Sequence, residues 1–131
     1  MTGHVTPTTE QLAALAGSPE EGPVVMLNLL RYRDEASDGS GRTGREAYLQ
    51  YGVLVIEMVL DRGGSVVFQG SADEMVIGPS DEAWDDVVLV RYPSRAAFLD
   101  MVTSEAYRAA HVHRAAALAD SRLLAMTPAA G

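Results

Sequence analysis

Hydrophobic residues in this chain gather into short runs separated by glycine, proline and acidic breaks, and the spacing inside each run assigns its element. Thr8 to Gln11 has capping-box spacing ahead of Leu12, Ala13, Leu15 and Ala16, with Gly17 and Pro19 behind them, which predicts a short helix. Residues 23–33 (PVVMLNLLRYR) are β-branched and large apolar, and they predict the first strand. The glycine-rich stretch 34–44 reads as a loop. Thr43 and Glu46 repeat the capping-box spacing and open a long helix that runs to Arg62, where Gly63 and Gly64 offer a left-handed end. Residues 65–70 (SVVFQG) and 74–78 (EMVIG) predict strand segments, read as one strand bent near 71–73. Residues 86–92 (DVVLVRY) predict a further strand, and Pro93 with Ser94 ends it and starts a helix carrying Phe98, Met101 and Val102. Ser104 caps a second helical segment bearing Tyr107, Ala110, His111, Arg114 and Leu118, and residues 121–127 (SRLLAMT) predict the closing strand.

Setting the first helix aside, the order is strand, helix, strand, strand, helix, strand. That is the split βαβ arrangement of an α+β ferredoxin-like domain, with an antiparallel sheet and its helices on one face. The expected division is an N-terminal extension with a short helix at 1–21 and the ferredoxin-like domain at 22–131. Neither face of the sheet is convincingly polar, because Val25, Leu27 and Leu29 alternate with Met26 and Leu30. On the long helix, Glu46, Gln50, Glu57 and Asp61 leave only a narrow polar stripe. Helices cover one face, so a second subunit is the simplest cover for the other, and a homodimer is expected.

Composition narrows the partners. A length of 131 residues suits one domain, and a net charge of -8 opposes capture by nucleic acid or by anionic membranes. With no cysteine, disulfides, thiolate catalysis and zinc-thiolate sites are excluded. There is no signal-like start, and no apolar run nears the roughly 18 residues needed to span a bilayer, so the expected location is cytoplasmic.

Candidate chemistry is sparse. Asn28 is an amide within an apolar strand, where it either orients a ligand carbonyl or oxyanion or ties strand to helix through a backbone or Arg114 contact. Tyr48, Tyr51 and Gly52 sit close together on the long helix and either line a pocket or fill a core. Tyr107, His111 and Arg114 share one face of the last helix: Arg114 can bind a carboxylate, enolate or phenolate with His111 carrying protons, or it can pair with a surface acid while His111 faces solvent. His111 and His113 stand about 200° apart around a helix and do not chelate one metal together, so no metal site is expected. His4 reads as part of a disordered tail, and Trp84 as the rim of a pocket, a dimer seam or a core edge. The pairs Arg31–Tyr32 and Arg91–Tyr92 each end a strand and form either a shared polar rim or solvated edges.

The runs VVMLNLLRYR at 24–33, AYLQYG at 47–52, GGSVVFQG at 63–70 and WDDVVLVRYPSRAAFLDMVTSEAY at 84–107 resemble the domain of unknown function 1330 family over residues 22–126. That family is similar to the dimeric α+β barrel superfamily, in which two ferredoxin-like subunits set sheet against sheet. The resemblance implies a homodimer. The superfamily spans cofactor-independent monooxygenases, isomerases and haem enzymes, alongside members with no assigned activity, so fold does not choose the chemistry. Asn28 and Arg114 match family positions, whereas His111 and His113 stand where the family has apolar residues.

The resulting expectation is a small-molecule-binding homodimer with a small apolar ligand between helices and sheet. Asn28, Arg114 and His111 are the candidate catalytic residues, and Tyr48, Tyr51, Trp84 and Tyr107 are the candidate ligand contacts. Any catalysis is expected to be cofactor-free, an isomerisation or a monooxygenase-like reaction on a carbonyl-bearing apolar substrate. The alternative is a non-catalytic ligand-binding or interaction protein.

Overall fold

The structure, a computed structural model, describes residues 3–129. Eight elements follow one another: α1 (Thr9–Ala16), β1 (Val24–Tyr32), α2 (Gly44–Asp61), β2 (Ser65–Ser71), β3 (Asp86–Tyr92), α3 (Arg95–Val102), α4 (Glu105–Ala117) and β4 (Leu118–Met126). The strands form a single sheet in the order β2-β3-β1-β4, with every neighbouring pair antiparallel. This is the ferredoxin-like α+β arrangement expected from the element order.

The caps explain where the helices begin. Thr8 accepts from the Gln11 amide at 3.0 Å while the Gln11 side chain accepts from the Thr8 amide at 2.9 Å. Thr43 and Glu46 make the same reciprocal pair at 3.1 and 2.8 Å. Ser94 and Ser104 each accept one amide, from Ala97 and Tyr107. Each bond satisfies a donor that the first helical turn leaves without an intrahelical partner. Helix α2 closes at Gly63, whose φ of 77° suits a residue without a side chain.

Burial along α2 falls on Ala47, Tyr51, Val55 and Val59, spaced by four, which is the stripe that meets the sheet. Across the sheet, Val24, Met26 and Leu30 of β1 and Val88 and Tyr92 of β3 point toward the helices and are buried. The opposite face carries Val25, Leu27 and Leu29 with Val87, Leu89 and Leu124 beside them, and no element of the described residues covers it. Gly44 is the pivot of the helix side. Its amide donates to the Arg33 carbonyl at 3.0 Å, and the Arg33 amide donates to the Ala117 carbonyl at 2.8 Å, so the end of β1, the start of α2 and the end of α4 converge on it. A Cβ there would collide with the Arg33 and Ala117 carbonyls.

Three sequence expectations change. Residues 74–78 are not a strand: the β2–β3 ladder closes at Ser71 and Asp86, and Val76 and Ile77 lie 87% and 92% exposed in the connection beyond it. An extended segment past the end of an edge strand has no partner for its backbone groups. The closing strand starts at Leu118 rather than Ser121, because Leu118 is extended and pairs with Tyr32, although its four-residue spacing from Arg114 reads as more helix. The two Arg-Tyr pairs do not meet. Antiparallel pairing sets Val24 opposite Tyr92 and Leu30 opposite Asp86, so the pairs lie at opposite ends of the β1–β3 ladder.

Candidate functional site

The helix-facing side of the sheet gathers most of the expected residues. Rings run in sequence from Tyr32 to Tyr48 (5.6 Å between centroids), Tyr48 to Tyr51 (5.2 Å), Tyr51 to Tyr107 (6.1 Å) and Tyr107 to His111 (5.7 Å). The Tyr51 and Tyr107 hydroxyls are bonded at 2.8 Å, joining α2 to α4. Arg114, one turn beyond His111 on α4, is only 6% exposed.

Arg114 has no acid partner among the described residues. Its Nη1 donates to the Val5 carbonyl at 2.6 Å and its Nη2 reaches the Ser121 hydroxyl at 3.5 Å. A guanidinium buried against neutral acceptors is an unusual economy, because charges taken out of water are ordinarily paired with an opposite charge. The surface-acid reading of Arg114 is therefore not what the fold adopts.

Burial sets the protonation states around it. The Tyr48 hydroxyl is pushed up to about 12, mainly by desolvation, with Arg114 pulling it partly back. Desolvation holds Tyr51 well above the ordinary phenol value, reinforced by Tyr107 and Tyr48. His111 is moved below its usual value, first by burial and then by the Arg114 charge. At neutral pH the site thus holds one fixed cation, protonated Tyr48 and Tyr51 hydroxyls and a neutral imidazole. The His111 Nδ1 is buried without a hydrogen bond among the described residues, and its Nε2 lies 3.5 Å from the Thr6 hydroxyl.

Asn28 shares this face, since Met26 and Leu30 on either side of it are buried under the helices. Its Nδ2 donates to the carbonyls of Val88 (3.2 Å) and Met26 (3.4 Å). Both amide protons are spent on backbone, so Asn28 offers a ligand its Oδ1 acceptor rather than the donor that an oxyanion requires. Trp84 lies elsewhere. It sits between the guanidinium groups of Arg31 and Arg122, each 5.1 Å from its ring, and both arginines belong to the opposite, uncovered face. The fold therefore separates Trp84 from the other six expected residues.

Residues that sequence reasoning left out complete the site. Segment 4–6 is packed rather than loose: the His4 amide donates to Asp120 at 2.8 Å, and the Ser121 hydroxyl donates to the His4 carbonyl at 2.7 Å. Val5 packs at the edge of the cluster formed by Leu30, Ala47, Ala117 and Leu118. Nothing in its composition signals this, because the docking depends on residues more than a hundred positions away. Tyr32, seen in sequence only as half of an Arg-Tyr pair, donates to Asp86 at 2.7 Å and lies beneath Arg45 at 4.6 Å.

Two surface clefts stand out, of ≈ 240 Å³ beside α1 and α3 and ≈ 350 Å³ at the β1–α2 loop. Arg114 and the Tyr48, Tyr51 and Tyr107 rings line neither one. Among the described residues, no three His, Asp or Glu side chains gather as metal ligands, and no helix is long and apolar enough to cross a membrane.

The family model for the domain of unknown function DUF1330 matches residues 42–127. The chain belongs to this family. The DUF1330 match takes in Tyr48, Tyr51, Trp84, Tyr107, His111 and Arg114, while Asn28 and segment 4–6 fall before it. The chain is similar to a protein of unknown function from Rhodopseudomonas palustris, RPA0582, at 45% identity and a TM-score of 0.93, covering 99% of this chain and 100% of that one. The methylated RPA0582 protein gives 46% identity, a TM-score of 0.93 and coverage of 99% and 98%. A dimeric ferredoxin-like protein of unknown function from Thermobifida fusca YX matches in fold, with 13% identity, a TM-score of 0.52 and coverage of 83% and 93%. No curated protein matches the chain.

Proposed function

We propose that this DUF1330 protein is a homodimeric small-molecule-binding protein whose ligand presents a carbonyl-type oxygen to Arg114 and an apolar body to the tyrosines of α2 and α4. One observation carries the reading: the Arg114 charge is buried without a described acid to balance it. Burying an ion costs on the order of several kcal/mol, and an apolar side chain of similar volume would serve stability at least as well.

The surroundings suit proton transfer next to a carbonyl. Neutral His111 can accept the proton from carbon while the C–H electron pair forms the enolate double bond and the carbonyl pair moves onto oxygen. Arg114 and a protonated tyrosine hydroxyl hold that oxygen, and in a substrate with a C=C bond conjugated to the enolate, return of the proton to the far carbon of that bond completes an isomerisation. Asn28 Oδ1 is left to accept from a ligand hydroxyl. This chemistry draws on no cofactor.

The uncovered sheet face supports the homodimer. Phe68 and Leu124 on it are 51% and 54% exposed, and the apolar residues of β1 and β3 lie between them. A second copy placed sheet to sheet would bury this surface and would make Trp84, with Arg31 and Arg122, part of the seam. The T. fusca neighbour is itself described as dimeric.

A non-catalytic binding or interaction role is the second reading, favoured by the Tyr51–Tyr107 bond, which already occupies two hydroxyls. A thermal-shift screen of carbonyl compounds, repeated on Arg114→Ala and Asn28→Ala, tests the proposal. Stabilisation that vanishes in Arg114→Ala supports it, and hits that are indifferent to Arg114 contradict it. Turnover of a hit, lost in His111→Phe, separates enzyme from binder.

A further inference from the structure

Segment 4–6 lies where a ligand of Arg114 would have to sit. Its Val5 carbonyl is the nearest acceptor to the guanidinium, its Thr6 hydroxyl faces His111, and its His4 backbone is held at both ends by Asp120 and Ser121. Gly3 before it runs so close to β4 that a side chain would strike the Ala119 carbonyl. The fit is built, yet the segment contributes no helix or strand, and its His4 and Thr6, like Gly3 before it, are exposed.

We infer that residues 4–6 form a displaceable strap, and that the ligand of this site is a small carboxylate whose two oxygens replace the Val5 carbonyl on Arg114. This rests on the binding site proposed above and names both its ligand class and its gate. A backbone carbonyl is a neutral, single acceptor. A carboxylate brings the missing charge and matches the planar fork of a guanidinium with two parallel bonds, which are roughly twice as strong as neutral ones. The exchange therefore favours an anion over a neutral carbonyl. It also explains why the space around Arg114 is filled: the strap occupies the position of the absent anion. The Tyr48, Tyr51 and Tyr107 rings, packed together between α2 and α4, favour an aromatic or otherwise apolar body behind the carboxylate.

The probes are phenylacetate and its neutral counterpart phenylacetamide, titrated calorimetrically into the full chain, into His4→Pro and into Arg114→Gln. His4→Pro removes the amide that donates to Asp120 and leaves every side chain of the site in place. Phenylacetate should bind, should bind about threefold or more tightly to His4→Pro because the open state is more populated, and should fail to bind Arg114→Gln. Amide hydrogen exchange at His4 in the unaltered chain should speed up when phenylacetate is added. Arg114-dependent binding with unchanged His4 exchange and equal affinity for His4→Pro overturns the strap and leaves the site standing. Binding of phenylacetamide but not phenylacetate overturns the anion assignment alone. If neither compound binds any of the three proteins, the strap inference falls together with the site.

Discussion

The hydroxyls of Tyr51 and Tyr107 meet at 2.8 Å across α2 and α4, a polar contact set between two helices that otherwise pack through apolar side chains. One hydroxyl must donate and the other accept, so each satisfies the other in a place where water is scarce. The bond joins α2 to α4, the helix that carries Arg114.

Tyr51→Phe leaves the Tyr107 hydroxyl without that partner and should cost about 1 kcal/mol of stability, with Tyr107→Phe costing a similar amount. Because both changes remove the same bond, the double variant should cost less than the sum of the two. Urea unfolding of the four proteins measures this, and strict additivity would mean that the bond contributes nothing.

Arg114→Met tests whether the buried charge serves function or stability. Exchanging a buried, acid-free guanidinium for an apolar side chain should change stability by no more than about 1 kcal/mol in either direction, while ligand-induced stabilisation disappears. A loss of about 3 kcal/mol or more would make Arg114 a structural tie between α4 and segment 4–6 instead.

The depressed His111 value makes stability depend on pH in a stated direction. The folded protein resists protonating His111, because the site is desolvated and Arg114 stands beside it, whereas the unfolded chain protonates near the ordinary 6.5. Over the window from 6.5 down to the folded value the unfolded state binds more protons, so this contribution is whole above 6.5 and is lost as pH falls through that window. His111→Phe should flatten the decline in melting temperature on going from pH 7 into that window. An unchanged slope would place the responsible group elsewhere.

Gly44→Ala should be among the most damaging single-methyl changes, costing about 1–3 kcal/mol or more, since the added carbon meets two backbone carbonyls that cannot swing aside. Gly52→Ala on the same helix meets nothing within reach and serves as the control. Equal melting temperatures for the two variants would mean that the junction of β1, α2 and α4 is looser than its hydrogen bonds indicate.

Most of the architecture was legible because local rules act within a few residues. The caps at Thr8, Thr43, Ser94 and Ser104 were readable from side-chain spacing, and the left-handed end at Gly63 from glycine. Sequence and structure part where a partner strand decides. Residues 74–78 have strand composition but no neighbour to pair with, and Leu118 keeps helical spacing while pairing with Tyr32. In the candidate site, helical spacing places Tyr107 beside His111 and Tyr48 beside Tyr51, and their rings are in contact. Trp84 stands apart from these residues, because its side of the sheet depends on loop geometry rather than alternation. The docking of Val5 on Arg114 spans 109 positions, and no local signal reports a contact of that range.

Sedimentation equilibrium of the full chain at micromolar concentration tests the homodimer proposed for the uncovered sheet face. Val25, Leu27, Leu29, Val87, Leu89 and Leu124 line an open sheet face that a second copy would shelter. The predicted result is a single species of twice the chain mass, shifted toward half that mass by Leu27→Glu. A monodisperse, stable monomer of the unaltered chain would contradict it.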